Sequence, residues 1–162
     1  MLTLGRACLF LALAVAPFGA FASLYGARRH RPEWIVAGRR SVYALFGVVT
    51  VAFVILESAF LRSDFSFSVV ASHSSTTTPW FYRATAMWSS QEGSLLLWVF
   101  LLSGWSSLIL ALTKRRLREI APYATAVLLG VATFFLSLSV FMANPFQLLS
   151  PAPGSAAGTG WP

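Results

Sequence analysis

Few side chains in this 162-residue chain could do chemistry. Five acidic residues, two histidines and one cysteine make up the stock of acids, bases, soft ligands and thiols. Asp64, His73 and Glu92 fall in or beside one polar, aromatic stretch, Phe65–Trp105. They are too dispersed in sequence to be claimed as an acid–base pair, whose members must come within hydrogen-bond reach. No Ser–His–Asp set, phosphate-binding glycine loop or metal-ligand spacing can be assembled. The sequence therefore names no catalytic residue and no metal site. Cys8 stands alone in an apolar run, so no intrachain disulfide can form, and neither CxxC nor CxxCH is present. A lone cysteine there reads as packing. His30 has no second ligand nearby in sequence. Ser89-Ser90-Gln91-Glu92 has the S-x-x-E pattern of a capping box, which explains Glu92 without catalysis. The same helix terminus could receive an anionic group, although the charge of Glu92 opposes it.

Glu57 is different, because it lies inside an apolar run. An ionisable side chain there is a functional candidate by default. It sits four residues from the end of its run, so two readings stay open. It has a partner within the bundle, or it reaches headgroups or Arg62 at the interface.

The elements that hold these residues follow from composition. The chain is 57% hydrophobic and 10% charged, against about a quarter charged in soluble domains. Its fold class is an all-α, polytopic membrane protein. Four uncharged or nearly uncharged runs predict spans at about 7–25, 41–61, 94–113 and 120–143, within a membrane domain of residues 1–149. Arg6 before the first run mimics a signal peptide, but the run ends in Arg28-Arg29 rather than a cleavage site, favouring a retained helix. Pro17 should kink that helix mildly. Pro122 suits the start of the fourth span, and Asn144-Pro145-Phe146 ends it.

Gly26–Arg40 carries five arginines and Lys114–Glu119 four basic residues, out of twelve in the chain. The positive-inside rule makes these two segments cytoplasmic loops. Both termini and residues 62–93 then lie outside, on the periplasmic side in a bacterium. The net charge of +7 is a topology signal, not a nucleic-acid footprint. Trp34 reads as an interfacial anchor. The tail, residues 150–162, is rich in Pro, Gly, Ser and Ala and reads as a flexible external segment.

The external loop, 62–93, is too aromatic to be a solvated spacer. Pro79–Trp88 reads as a short amphipathic helix on the membrane surface, with Trp80 and Ala84, and Arg83 and Met87, at helical spacing. It serves either as a belt anchor alone or as an aromatic platform for a flat apolar ligand. Trp98 and Trp105 lie seven apart on one face of the third span.

At this loop the chain resembles a known family. Val70-Ala71-Ser72-His73-Ser74, Pro79, Tyr82-Arg83, Trp88, and Glu92-Gly93-Ser94-Leu95-Leu96-Leu97-Trp98 leading to Gly104-Trp105 resemble the N-terminal region of the CcmF family, the haem lyase subunit of System I cytochrome c biogenesis. NrfE shares the pattern. Asn144-Pro145-Phe146 and Pro151-x-Pro153 match the family's next external element. Two departures stand out: Ser89-Ser90-Gln91 replaces a Gly- and His-containing sequence, and Ser75 replaces the usual Asn. The family's WWD segment and haem-ligand histidines are expected beyond Pro162, so none is carried over, and His73 matches a position that is not a haem ligand.

The resemblance implies a membrane subunit of cytochrome c maturation, taking part in haem delivery and attachment to apocytochrome c as an N-terminal fragment or split half of the lyase. It implies haem as the cofactor of the family complex, with no ligand in this chain. Implied partners are a haem chaperone, apocytochrome c, the missing C-terminal part, other maturation subunits and the lipid bilayer. The implied location is the bacterial inner membrane. The enzyme assignment stays open, and a non-catalytic membrane scaffold is the alternative. A small transporter is disfavoured, since Glu57 is the lone intramembrane charge and no half-to-half repeat is evident.

Overall fold

A computed structural model describes residues 2–62, 90–112 and 120–146. The described chain is all helical: α1 Leu2–Arg28, α2 Pro32–Arg62, α3 Gln91–Leu112 and α4 Ala121–Phe141. All four are long and apolar enough to cross a membrane, with mean hydropathies of 2.1 to 2.3. The expected helix at Pro79–Trp88, the second basic segment and the tail lie outside the described residues.

The helices form a ring, α1 against α2, α2 against α3, α3 against α4, and α4 back against α1. The α1–α2 hairpin is the most extensive pairing. One sequence feature accounts for it. Gly5, Ala12, Gly19 and Gly26 recur every seven residues along the buried face of α1, with Leu9, Ala16, Ala22 and Ser23 between them. Small side chains let helix backbones approach in lipid, where packing contacts rather than water exclusion drive association. A side-chain carbon at Gly38 of α2 would collide with Ser23. At Gly19 it would come within 2.7 Å of Leu129 of α4.

The first two helices are longer than their apolar runs. The arginine-rich segment 26–40 is mostly helical, not a loop, and the connection shrinks to Arg29–Arg31. Physical chemistry explains the difference. His30 takes a left-handed backbone, φ 52°, and Arg31 N–H donates to the Gly26 carbonyl at 3.0 Å. That is a Schellman stop with histidine in the position glycine usually fills. Pro32 then starts α2, with Glu33 in its first turn, where a negative charge is favoured. Arginines extend a helix past the apolar run because they are good helix formers.

At this end Trp34 packs against Tyr25 and Phe21, with ring centroids 5.2 and 6.3 Å away. Arg39 donates to the Leu110 carbonyl at 3.3 Å, tying the start of α2 to the far end of α3. Pro17 is accommodated inside a continuous α1, and Cys8 packs half-buried at the edge of the core.

Candidate functional site: the Phe146 end of the bundle

The start of α1, the ends of α2 and α4 and the start of α3 meet at the end of the bundle opposite Arg39. Most of the described motif residues are here. Ser90 caps α3: its hydroxyl accepts from the Gly93 N–H at 3.1 Å, the side-chain-to-N3 bond of an N-cap. The Ser94 N–H donates to the Ser90 carbonyl at 2.9 Å, closing the first helical turn.

This corrects the expected register. The cap is Ser90 rather than Ser89, so Gly93, not Glu92, occupies the third helical position. Two adjacent serines offer the same chemistry, and the four-residue pattern selected the wrong one. Glu92 becomes the second helical residue, near the positive end of the helix dipole. The Ser94 hydroxyl donates to the Gln91 carbonyl at 2.9 Å. Gly93 is buried.

Across the same end, α4 stops at Phe141, and the Met142 and Ala143 N–H groups donate to the Leu138 carbonyl at 2.9 and 3.0 Å. The Asn144 side chain then accepts from the Phe146 N–H at 3.0 Å, an Asx turn that folds the chain back. Pro145 is buried, and Phe146 is fully buried over Gly5 of α1. The Asn-Pro-Phe motif is thus a latch tying the end of α4 to the start of α1. Sequence reasoning treated it as a helix stop and missed Gly5. The seven-residue spacing of small residues was the available signal for α1, but nothing local links Gly5 to Phe146.

Glu57 lies one turn beyond Phe53 on α2. Phe53 stacks on Phe100 of α3 at 4.7 Å, and Phe46 lies 5.7 Å from the same ring. The carboxylate is therefore on the stripe that borders α3. Its Oε2 is enclosed and has no hydrogen-bond partner among the described residues.

Trp98 and Trp105 face outward from α3. An open groove of about 310 Å³ runs along this side, lined by Phe46, Phe100, Leu101, Gly104, Trp105 and Leu108. His73, Pro79, Tyr82, Arg83 and Trp88 lie outside the described residues. Among the described residues, no three His, Cys, Asp or Glu side chains converge as a metal site.

Four apolar helices long enough to cross a membrane, joined at one end by a latch and a capped motif, define a multi-pass membrane unit. The chain matches the N-terminal part of the CcmF/NrfE family of cytochrome c-type biogenesis proteins. It is 36% identical to the CcmF protein of Pseudomonas aeruginosa over 149 residues, covering 91% of this chain and 22% of that relative. It is 35% identical to the probable NrfE protein of Escherichia coli K12 over 137 residues, covering 85% and 24%. The solved structure of a cytochrome c haem lyase CcmF superposes with a TM-score of 0.83 and 31% identity, over 90% of this chain and 24% of that one. No protein-family model matches. The chain thus spans about a quarter of the length of the relatives it matches.

The described residues do not make a haem site. Their one histidine, His30, is exposed in the turn at the Arg39 end, and the α2–α3 groove is lined by apolar side chains with no imidazole among them.

Proposed function

We propose that this chain forms the N-terminal membrane portion of a cytochrome c haem lyase and supports haem delivery and attachment to apocytochrome c. The observation that carries this reading is the likeness in both fold and sequence, along nearly the whole chain, to one end of the lyase. In this reading the chain supplies scaffold, and the remaining polypeptide supplies the haem ligands. The Ser90–Ser94 start of α3 and the Asn144–Phe146 latch make a rigid rim. From that rim the segment bearing His73, Pro79, Tyr82, Arg83 and Trp88 reaches a haem chaperone, apocytochrome c and other maturation subunits.

The rim faces outward. The clustering of Arg28, Arg29, Arg31, Arg39 and Arg40 at the opposite end supports a cytoplasmic position for that end under the positive-inside rule. Both termini and residues 62–93 then lie on the outer face of a bacterial inner membrane.

The test is co-expression, in cells lacking the family protein, of this chain with the polypeptide carrying the rest of the family sequence. Covalent haem on a CxxCH cytochrome is the expected result. Stable insertion of both pieces without covalent haem leaves a scaffold without haem activity.

A further inference from the structure

The exposed face of α3 differs from the other lipid-facing surfaces. Trp98, Leu101, Trp105, Leu108 and Leu112 alternate in steps of three and four, the spacing of a helix-packing seam, and all are exposed. Both tryptophans are 62% exposed. Tryptophan in membrane proteins collects at the two interfaces, where its N–H finds water or headgroups. These two lie away from the ends of the described helix. Trp98 is seven residues from Gln91 and Trp105 seven from Leu112, so each lies about 10 Å inside its end of the helix. At that depth a hydrocarbon surrounding leaves the indole N–H unpaired, which is costly, and neither has a partner among the described residues. The outward faces of α1 and α4 instead carry residues such as Phe10, Phe18, Val127, Phe134 and Phe141, which need no partner.

The groove between α2 and α3 lies beside this seam. Its floor includes Gly104, where an added side-chain carbon would meet Phe46 at 3.2 Å, and its α2 stripe runs on to the unpartnered Glu57 oxygen. An apolar cleft, two deep indoles wanting acceptors and one carboxylate wanting a donor suit a protein helix better than acyl chains.

We infer that the Trp98–Leu112 face of α3, with the groove bordered by Phe46, is the docking surface for a transmembrane helix. That helix belongs to the part of the lyase architecture that this chain does not span, about three quarters of the solved relative. The inference rests on the haem-lyase reading for its occupant. The docked helix carries hydrogen-bonding groups toward the two indoles and toward Glu57.

The test places the photoreactive residue p-benzoylphenylalanine at Leu101 or Leu108, with controls at Phe18 and Phe134. The chain is irradiated in native membranes that also contain the cognate polypeptide carrying the rest of the family sequence, and cross-linked peptides are mapped by mass spectrometry. Adducts to a transmembrane segment of that polypeptide from Leu101 and Leu108, absent from Phe18 and Phe134 and lost on Trp105→Ala with insertion unchanged, are expected. Adducts to lipid alone, adducts to a second copy of this chain, or equal adducts from Phe134 overturn the inference. The readout is physical proximity. Cross-linking without cytochrome maturation refutes the haem-lyase reading alone, and maturation without cross-linking refutes the docking face alone.

Discussion

Gly5→Ala should change the sign of its effect when Phe146 is removed. A methyl group at position 5 would lie 2.5 Å from Phe146 Cδ1 and 2.7 Å from Cζ, against 3.4–4 Å for an ordinary contact. The ring must therefore retreat by roughly 1 Å, and Phe146 is fully buried. Overpacking of this kind costs about 1–3 kcal/mol. Alanine in place of glycine inside a helix returns about 0.8–1 kcal/mol. The net expectation is a destabilisation of about 1 kcal/mol in the otherwise native chain. Phe146→Ala alone should cost about 3–5 kcal/mol. In that background the obstruction is gone, so Gly5→Ala should stabilise by up to about 1 kcal/mol. The assay is a double-mutant cycle on the purified chain in detergent, unfolded with increasing dodecyl sulfate and followed by far-ultraviolet circular dichroism. A coupling of about 1–3 kcal/mol is expected for groups in direct contact. Equal effects of Gly5→Ala in both backgrounds would refute the latch.

Three further outcomes follow from the same geometry. Ser90→Ala should cost about 1 kcal/mol through loss of the α3 cap, whereas Ser89→Ala should stay within about 0.5 kcal/mol; the reverse order in the same unfolding assay restores the register read from the sequence. Arg39→Met keeps the apolar stem but loses the bond to the Leu110 carbonyl, and should cost about 1 kcal/mol, visible as faster hydrogen exchange in the last turn of α3. Glu57→Gln removes a charge whose Oε2 has no partner, so the isolated chain should be no less stable than the native one. A clear loss of thermal stability would show a buried ionic partner for Glu57.

The membrane class and the four helices were legible because apolar runs of bilayer-spanning length, separated by basic clusters, are the pattern a membrane imposes on a chain. The helix ends were less legible. Arginine-rich segment 26–40 has the composition of a cytoplasmic loop, yet its turn is compressed into three residues by the left-handed His30 and by Pro32. Composition does not reveal that a charged segment is helical when its arginines can also continue a helix. At the candidate site, Glu92-Gly93-Ser94 and Asn144-Pro145-Phe146 were recognisable as motifs, but their physical roles were not. Ser89 and Ser90 are equivalent until the backbone selects one. The Phe146–Gly5 contact joins opposite ends of the described chain, so no local pattern could announce it. Glu57 was singled out by its setting alone, and the structure adds that it borders α3 through the Phe46–Phe53 stripe.

The central claim is that this four-helix unit works as the N-terminal part of a haem lyase. The most direct measurement is covalent haem on a CxxCH cytochrome in cells whose own lyase is deleted, scored by haem staining after denaturing electrophoresis. With this chain and the complementary polypeptide both expressed, a haem-stained cytochrome band is expected, and omission of this chain should abolish it. Equal staining with and without this chain, or none when both pieces are stably inserted, would contradict the account.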